Sequence, residues 1–336
     1  MIIKLKRDAA LADVHALTDA LNDEGFSFET VHSDTYTVIH VLGDVATFDE
    51  KKLYAHDCVE RVVSLHVPFV RTRKIPSKEK TVVDFPGFSI GRDPIIIAGP
   101  CSVESEAQID AAARLVKASG AVMLRGGAYK PRTSPYSFQG LKEHGLAMLS
   151  HAAKAHGLAC VSEILSKDDL PLFEEHVDMI QVGARNMQNI DLLHALGRAR
   201  KPVLLKRGFG NTIEEWLLSA ETIMSHGNDH VILCERGIRT FEPHTRATLD
   251  LTSVLAVREL SHLPVIVDPS HAAGTYAYIE GLTKASLAIG ADGVMIEVHP
   301  DPVRAYSDGA QSLKPETFER LMQNITPYLE FRKKDA

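Results

Sequence analysis

The chain has 336 residues, of which 45% are apolar and 24% charged, and its formal net charge is −7. This composition is typical of a globular enzyme rather than a disordered chain, and the length allows one large core plus a small second domain. The acidic balance argues against a nucleic-acid or acidic-membrane binder. Four dispersed cysteines, with no signal peptide or membrane-length apolar stretch, predict free thiols and a cytoplasmic location.

The first 70 residues have the pattern of a separate module. The predicted elements are a strand at 2–5, a helix at 11–21 ended by Gly25, strands at 26–31 and 36–42 around a polar turn at Ser33-Asp34, a weaker helix at 48–56 and a strand at 59–67. This βαββαβ order predicts a ferredoxin-like domain over residues 1–70. A structural or dimerising role is as compatible with that fold as ligand sensing, because fold alone does not give function.

From residue 94 onward, short apolar runs alternate with helical segments. The runs lie at 95–98, 121–124, 159–164, 179–182, 203–206, 231–234, 265–267 and 293–298, and helical candidates lie at 105–119, 146–156, 212–226, 248–260 and 276–289. Eight βα units over about 240 residues predict a (β/α)8 TIM barrel over 94–336. The segment 71–93 is then a linker and barrel-capping segment. A doubly wound open sheet is the alternative, disfavoured because no Gly-x-Gly-x-x-Gly follows the first strand.

Reactive or charged side chains lie at the end of each apolar run. In chain order they are Cys101 and Ser102, Arg125, Glu163, Arg185, Lys206 and Arg207, Glu235 and Arg236, Asp268 and His271, and Glu297 and His299. The carboxyl ends of parallel barrel strands meet at one face, where the active sites of such enzymes lie. Any one of these residues is compatible with a structural ion pair, but all eight runs ending this way predict an active site.

The cations in this set indicate an anionic ligand. Residues 123–133 place Arg125, Lys130 and Arg132 beside two glycines, a pattern that suits phosphate binding, with a solvated basic loop as the alternative. The positive charges of Arg125, Lys130, Arg185, Lys206 and Arg236 would repel one another without a multiply anionic ligand. A ligand that carries both phosphate and carboxylate would satisfy them.

A second subset has the donor atoms of a metal site. Cys101, His271, Glu297 and Asp308 offer a thiolate, an imidazole and two carboxylates. Such a mixed set suits one divalent transition ion such as Mn, Fe, Co or Zn. Because these residues are scattered over some two hundred positions, a simple buried apolar Cys101 is the alternative.

The motifs that carry these residues resemble those of class I 3-deoxy-D-arabino-heptulosonate 7-phosphate (DAHP) synthases. They are AGPCS at 98–102, LRGGAYKPRTSP at 124–135, QVGARN at 181–186, LKRG at 205–208, CERG at 234–237, DPSH at 268–271, IEVHP at 296–300 and SDGAQ at 307–311. The resemblance extends from residue 94 to about 330. The N-terminal module resembles, at the level of fold, the regulatory domain of the beta-type branch, in which aromatic amino acids are feedback inhibitors.

The resemblance implies condensation of phosphoenolpyruvate with D-erythrose 4-phosphate, the first step of the shikimate pathway. It implies a catalytic set of Cys101, Lys130, Glu163 and His271, and a metal set of Cys101, His271, Glu297 and Asp308. The implied substrate-binding residues are Arg125, Lys130, Pro131, Arg132, Thr133, Ala184, Arg185, Lys206, Arg236 and Asp308. A homotetramer, inhibition by tyrosine or phenylalanine, and no nucleic-acid or membrane partner are also implied.

Three other functions compete with this one. The related 3-deoxy-D-manno-octulosonate 8-phosphate synthases use arabinose 5-phosphate, but have Lys-Ala-Asn-Arg-Ser where this chain has Lys-Pro-Arg-Thr-Ser at 130–134. A Schiff-base aldolase would use Lys206 as its nucleophile. A non-catalytic amino-acid sensor would leave the charged strand ends without a purpose.

Overall fold

The computed structural model describes residues 1–33, 36–43, 45, 48, 50–63, 69–75, 79–131, 134 and 136–334. The chain divides into two compact units, Met1–Val70 and Arg71–Ala336. Within the described residues, no helix is both long and apolar enough to cross a membrane. All four cysteines are buried and free.

The first unit is the predicted ferredoxin-like domain. Its elements are β1 (Ile2–Leu5), α1 (Leu11–Asp23), β2 (Ser27–His32), β3 (Thr37–Leu42), a 3₁₀ helix (Glu50–Ala55) and β4 (Val59–Val63), and the sheet order is β2-β3-β1-β4. Neighbouring strands are antiparallel. The predicted second helix is one 3₁₀ segment, from which Leu53 enters the core. Asp34 of the predicted turn, and residues 64–67 of the predicted last strand, lie outside the described residues.

The core of this unit follows from the period of two along its strands. Ile3 of β1 pairs with Ile39 of β3, so both side chains point to the same face of the sheet. Leu17 and Leu21 of α1 are four residues apart and pack on that face. The helix therefore covers one side of the sheet, as the sequence pattern predicts.

The second unit is the predicted TIM barrel. A short hairpin of β5 (Val83–Phe85) and β6 (Phe88–Ile90) precedes it. The barrel strands are β7 (Ile95–Gly99), β8 (Met123–Arg125), β9 (Ala159–Ile164), β10 (Met179–Val182), β11 (Val203–Lys206), β12 (Val231–Glu235), β13 (Val265–Val267) and β14 (Gly293–Glu297). The last strand pairs in parallel with the first, which closes the barrel and excludes the open sheet.

The helices that follow the barrel strands are partly those predicted. They are α2 (Glu106–Ala118), α3 (Lys142–Ala155), α4 (Leu170–His176), α5 (Ile190–Gly197), α6 (Ile213–Ser225), α7 (Thr252–Leu260), α8 (Pro269–Ala273), α9 (Ile279–Ala288) and α10 (Pro315–Lys334). Side-chain caps define two starts: Ser105 caps α2, and Thr212 with Glu215 forms a capping box on α6. The sequence reading missed α4, α5, α8 and α10, of which the first three are too short to establish a clear helical period.

The hairpin β5–β6 closes one end of the barrel. Val83 and Ile90 belong to the same apolar cluster as residues near the starts of barrel strands, including Ile95, Met123 and Met179. Phe85 and Phe88 stack on each other and pack against this cluster. The hairpin therefore covers the end opposite the strand termini that carry the polar residues.

Candidate active site

The polar residues predicted from the strand ends come together in one cavity. The ends of β7 and β8 approach closely: a Cβ atom at Gly99 would lie 2.0 Å from the Arg125 carbonyl oxygen, so only glycine fits there. The cavity is lined by these residues from the predicted set: Lys130, Pro131, Glu163, Ala184, Arg185, Lys206, Arg236, His271 and Asp308. Arg132 and Thr133, predicted beside them, lie outside the described residues.

The four predicted metal ligands form a compact quartet. One donor atom from each of Cys101, His271, Glu297 and Asp308 lies within 4.8 Å of the others. The Cys101 Sγ is 3.1 Å from Asp308 Oδ2, and the His271 Nε2 is 3.3 Å from Glu297 Oε1. Sulfur, imidazole nitrogen and carboxylate oxygen together fit a divalent transition ion. The side chains present therefore suit the predicted metal.

The DPSH motif orients the histidine of this quartet. Asp268 is the N-cap of α8, with Pro269 in the first turn, and its carboxylate accepts from the His271 backbone N–H at 3.0 Å. The same carboxylate lies 2.7 Å from His271 Nδ1 and also accepts from Lys206. The imidazole thus donates through Nδ1 and turns Nε2 towards the quartet, as is usual for a metal-binding histidine.

The charges around Asp268 fix its ionisation. Burial by itself raises the pKa of Asp268, but His271 and Lys206 outweigh that effect and hold the pKa well below its usual range. Burial lowers the pKa of His271, with Asp268 and Glu297 opposing the change. The lowered pKa of His271 favours the neutral imidazole, which is the form that binds a metal.

Arg125 lies behind the quartet rather than among the residues that line the cavity. Its buried guanidinium donates to Glu297 Oε1 at 2.5 Å and to the Pro100 carbonyl oxygen at 3.1 Å. Burial raises the pKa of Glu297, but His271 and Arg125 more than reverse this effect, so the carboxylate stays ionised. Gln311 Nε2 donates to the other Glu297 oxygen at 2.6 Å. Arg125 thus holds one quartet ligand, and its role in substrate binding stays a prediction.

Cys101 is a buried thiol beside a lysine. Burial, aided by Glu297, raises the pKa of Cys101 to about 11, although Lys130 acts in the opposite direction. The Lys130 Nζ lies 2.9 Å from Cys101 Sγ and 2.9 Å from the Cys101 carbonyl oxygen. A metal at this site would therefore have to displace the thiol proton.

Arg236, which also lines the cavity, has spare hydrogen-bonding capacity. Arg236 is 3% exposed, and its Nη1 has no hydrogen-bond partner within the described part of the chain. Its Nη2 donates to the His271 carbonyl oxygen at 3.3 Å, and its guanidinium lies 4.3 Å from the centre of the Phe209 ring. A buried N–H without an acceptor is costly, so this group suits an anionic ligand.

Glu163 faces the same cavity from β9. Its Oε2 accepts from Gln181 Nε2 at 2.9 Å. A Cβ atom at Gly183 would lie only 2.0 Å from Glu163 Oε1, so the glycine of the QVGARN motif makes room for this carboxylate. The Glu163 carboxylate is thus held by a hydrogen bond from Gln181 on one side and packs closely against the Gly183 backbone on the other.

Two residues that line the cavity were not predicted from the sequence, and one predicted strand-end cation, Arg207, forms ion pairs outside the cavity lining instead. Phe209 and Arg246 line the cavity, and Arg246 donates to Gln311 Oε1 at 3.0 Å and to Asp308 Oδ1 at 3.4 Å. Arg246 lies in the loop between β12 and α7, where the strand-end rule gives no signal. Arg207, in contrast, pairs with Glu235 and Asp250 and is not among the lining residues.

Comparison with known proteins confirms the resemblance found in the sequence. Residues 74–330 match the model of the DAHP synthetase I family, and residues 1–66 match that of the DAHP synthase ferredoxin-like domain. A phospho-2-dehydro-3-deoxyheptonate aldolase of Thermotoga maritima is 47% identical over 326 residues, which are 97% of this chain and 96% of that protein.

Two further matches are a solved structure of the same activity and a relative named for a different one. A crystal structure of the Thermotoga maritima DAHP synthase has a TM-score of 0.88 and 45% identity, and the match covers 98% of this chain and 97% of that one. A 2-dehydro-3-deoxyphosphooctonate aldolase of Syntrophotalea carbinolica is 33% identical over 254 residues, 70% of this chain and 91% of that protein. The chain therefore belongs to the DAHP synthetase I family of enzymes.

Proposed function

We propose that this enzyme condenses phosphoenolpyruvate with D-erythrose 4-phosphate to give DAHP and inorganic phosphate, as the first step of the shikimate pathway. The observation that carries the proposal is one cavity lined both by His271 and Asp308 of the metal-type quartet and by the buried Arg236, whose Nη1 has no hydrogen-bond partner among the described residues. Nearly full-length similarity to an aldolase named for this product supports the same reaction.

The cations of the cavity are the groups that bind phosphoenolpyruvate in this proposal. Arg185, Lys206 and Arg236 offset the charge of its phosphate and carboxylate and fix the enol carbon for attack, and Ala184 lies in the cavity wall. Arg125, which is bonded to Glu297, adds to the positive charge in this proposal. The nucleophilic carbon C3 forms a bond to the aldehyde carbon. Because the Lys206 Nζ is engaged in a buried contact with the Asp268 carboxylate, it is poorly placed to act as a nucleophile, which disfavours a Schiff-base mechanism.

The quartet and its neighbours act on the other reactant. A divalent ion held by Cys101, His271, Glu297 and Asp308 would supply Lewis acidity to the aldehyde oxygen. Lys130, beside Cys101, is positioned to bridge the two substrates and to transfer a proton to that oxygen. Glu163 orients a water molecule for attack on C2 of phosphoenolpyruvate, after which the C2–O bond breaks and phosphate leaves.

The choice of aldehyde depends on the loop after β8. Pro131 lines the cavity, and Arg132 and Thr133 follow it and bind the phosphate of erythrose 4-phosphate in this proposal. The alternative, arabinose 5-phosphate, is less well supported, because the relative of that class is 33% identical and aligns with 70% of the chain.

The deciding experiment is phosphate release by the purified, metal-reconstituted protein from phosphoenolpyruvate with erythrose 4-phosphate, arabinose 5-phosphate or no aldehyde. The proposal is supported if erythrose 4-phosphate is the only aldehyde that gives phosphate release, and if this activity is lost after treatment with EDTA and restored by Mn²⁺. A Cys101→Ser variant should need more metal for the same rate. Preference for arabinose 5-phosphate would transfer the enzyme to the alternative reaction.

The remaining parts of the proposal concern organisation and regulation. We assign residues 1–70 to a regulatory domain that binds tyrosine or phenylalanine, residues 71–93 to a linker that caps the barrel, and residues 94–336 to catalysis, in a cytoplasmic homotetramer. The match of residues 1–66 to a ferredoxin-like domain of DAHP synthases supports the first assignment. Inhibition of the full chain by either amino acid, lost on removal of residues 1–70, is the test.

A further inference from the structure

We infer that Glu104 is a positioning residue for the metal quartet, an inference that rests on the proposed function of that quartet. Glu104 lies in the loop after β7, three residues beyond Cys101, and its side chain is only 8% exposed. It is absent from the lining of the cavity. Its carboxylate instead connects two loops, each of which carries a quartet residue.

One oxygen of Glu104 bonds a neighbour of each of these two residues. Oε1 accepts from the Ser102 hydroxyl at 2.9 Å and from the Tyr306 backbone N–H at 2.8 Å. Ser102 directly follows Cys101, and Tyr306 is two residues before Asp308. A single carboxylate oxygen therefore joins the two chain segments that deliver a sulfur and an oxygen ligand, beside the direct contacts of Cys101 with Ser307 and Asp308.

The second oxygen holds the start of the same loop. Glu104 Oε2 lies 3.4 Å from His299 Nε2, and the His299 side chain is 5% exposed. His299 Nδ1 accepts from the Asp301 backbone N–H at 3.0 Å, so the ring hydrogen that can bond a partner is on Nε2 and points to Glu104. Both ends of the segment 299–306 are thus fixed by one side chain.

The backbone of Asp308 needs such support. Its φ angle is +54°, in the left-handed region that non-glycine residues seldom adopt. A residue keeps this conformation only where its surroundings enforce it. Arg246 and Ser312 hold Asp308 from its side chain and carbonyl group. Glu104 fixes the preceding segment, and through it the distance between Asp308 and Cys101.

Glu104→Gln separates this role from simple packing. Glutamine has the same size but replaces one acceptor oxygen by an NH₂ donor. If the NH₂ group takes the position of Oε1, the Tyr306 N–H loses its acceptor. If it takes the position of Oε2, it meets the hydrogen of His299 Nε2. Since the Asp301 N–H fixes the tautomer of His299, neither orientation satisfies every donor.

The test is a Co²⁺ titration of the full-length protein in competition with a chelator, followed by thiolate-to-cobalt charge-transfer absorption. We expect Glu104→Gln to raise the Kd for Co²⁺ by about 10–100-fold, as is typical when the support of a metal ligand is removed. Ser102→Ala, which deletes one hydrogen bond to Glu104, should raise it several-fold. The matched control is Glu221→Gln, because Glu221 also accepts backbone N–H groups, from Arg71 and Thr72, but is not among the cavity-lining residues.

The outcomes distinguish this inference from the function on which it rests. A wild-type protein without charge-transfer absorption that depends on Cys101 would overturn the metal quartet and the role of Glu104 together. Wild-type absorption with an unchanged Kd in folded Glu104→Gln would overturn the role of Glu104 alone, as would an equal rise in Glu221→Gln. If Glu104→Gln does not fold, an unchanged Kd in Ser102→Ala has the same meaning.

Discussion

Replacement of Gly183 by alanine tests the role of Glu163 without changing Glu163 itself. The backbone φ of Gly183 is −69°, which alanine adopts without strain, so the substitution acts only through the added methyl group. That group would lie 2.0 Å from Glu163 Oε1, whereas ordinary contact begins at 3.4 Å. The carboxylate oxygen must therefore move by about 1.4 Å.

The cost of this movement should appear in the rate rather than in stability. The clashing atoms are at the end of a flexible side chain, so the free energy of unfolding should fall by less than the about 1–3 kcal/mol that overpacked cores lose. A shift of about 1 Å in a group that positions a reactant can cost about 100-fold in rate. We therefore expect kcat to fall about 100-fold, with little change in the KM for phosphoenolpyruvate.

The assay is the loss of enol absorbance under saturating metal and both substrates, together with thermal unfolding. Gly210→Ala is the matched control, because no heavy atom of the described residues, apart from the two chain neighbours, lies within 4 Å of a Cβ atom at that position. The Gly183→Ala and Glu163→Ala effects should be far from additive if both act through one carboxylate. A kcat within threefold of wild type in Gly183→Ala would refute the positioning role of Glu163.

Three further predictions concern the ligands of the cavity. Arg236→Ala should raise the calorimetric Kd for phosphoenolpyruvate by about 10–100-fold, the equivalent of one charge-assisted hydrogen bond, and leave metal affinity unchanged; an unchanged Kd would contradict this. Because burial raises the pKa of Cys101 to about 11 and lowers that of His271, metal binding above about pH 7 should release one proton. The logarithm of the association constant should then rise by about one per pH unit, and a flat profile would show that the thiolate exists without metal. Arg132→Ala should raise the KM for erythrose 4-phosphate far more than that for phosphoenolpyruvate, and equal increases in steady-state kinetics would argue against its assignment.

The barrel was predictable because buried parallel strands are short continuous apolar runs, a pattern that survives in the sequence without tertiary information. The start of α3 at Lys142 was placed four residues late, since its first turn has little apolar character. The two strands of the hairpin were not predicted, because each has only three residues and they follow a charged segment. Short elements that are stabilised mainly by tertiary packing leave too weak a local pattern.

The active site was predictable to the extent that topology brings strand ends together. The positions of Cys101 and His271 followed from that rule. The partners of the charged side chains could not be predicted in this way. No pattern in the sequence indicates that Arg207 pairs with Glu235 and Asp250, or that Lys206 and His271 both contact Asp268. Arg246 lies on a loop, and its approach to Asp308 depends on the path of that loop in three dimensions.

The hairpin at 83–90 has a consequence for how such enzymes exchange modules. Since Val83 and Ile90 belong to the apolar cluster of the barrel interior, the hairpin is packed as part of the barrel although it supplies no residue to the cavity lining. A fusion junction at residue 94 would leave that interior uncovered, whereas one between 70 and 79 would keep it closed. A different N-terminal module can therefore be joined to this barrel only upstream of the hairpin. The smallest fragment that keeps the barrel interior covered begins before Val83.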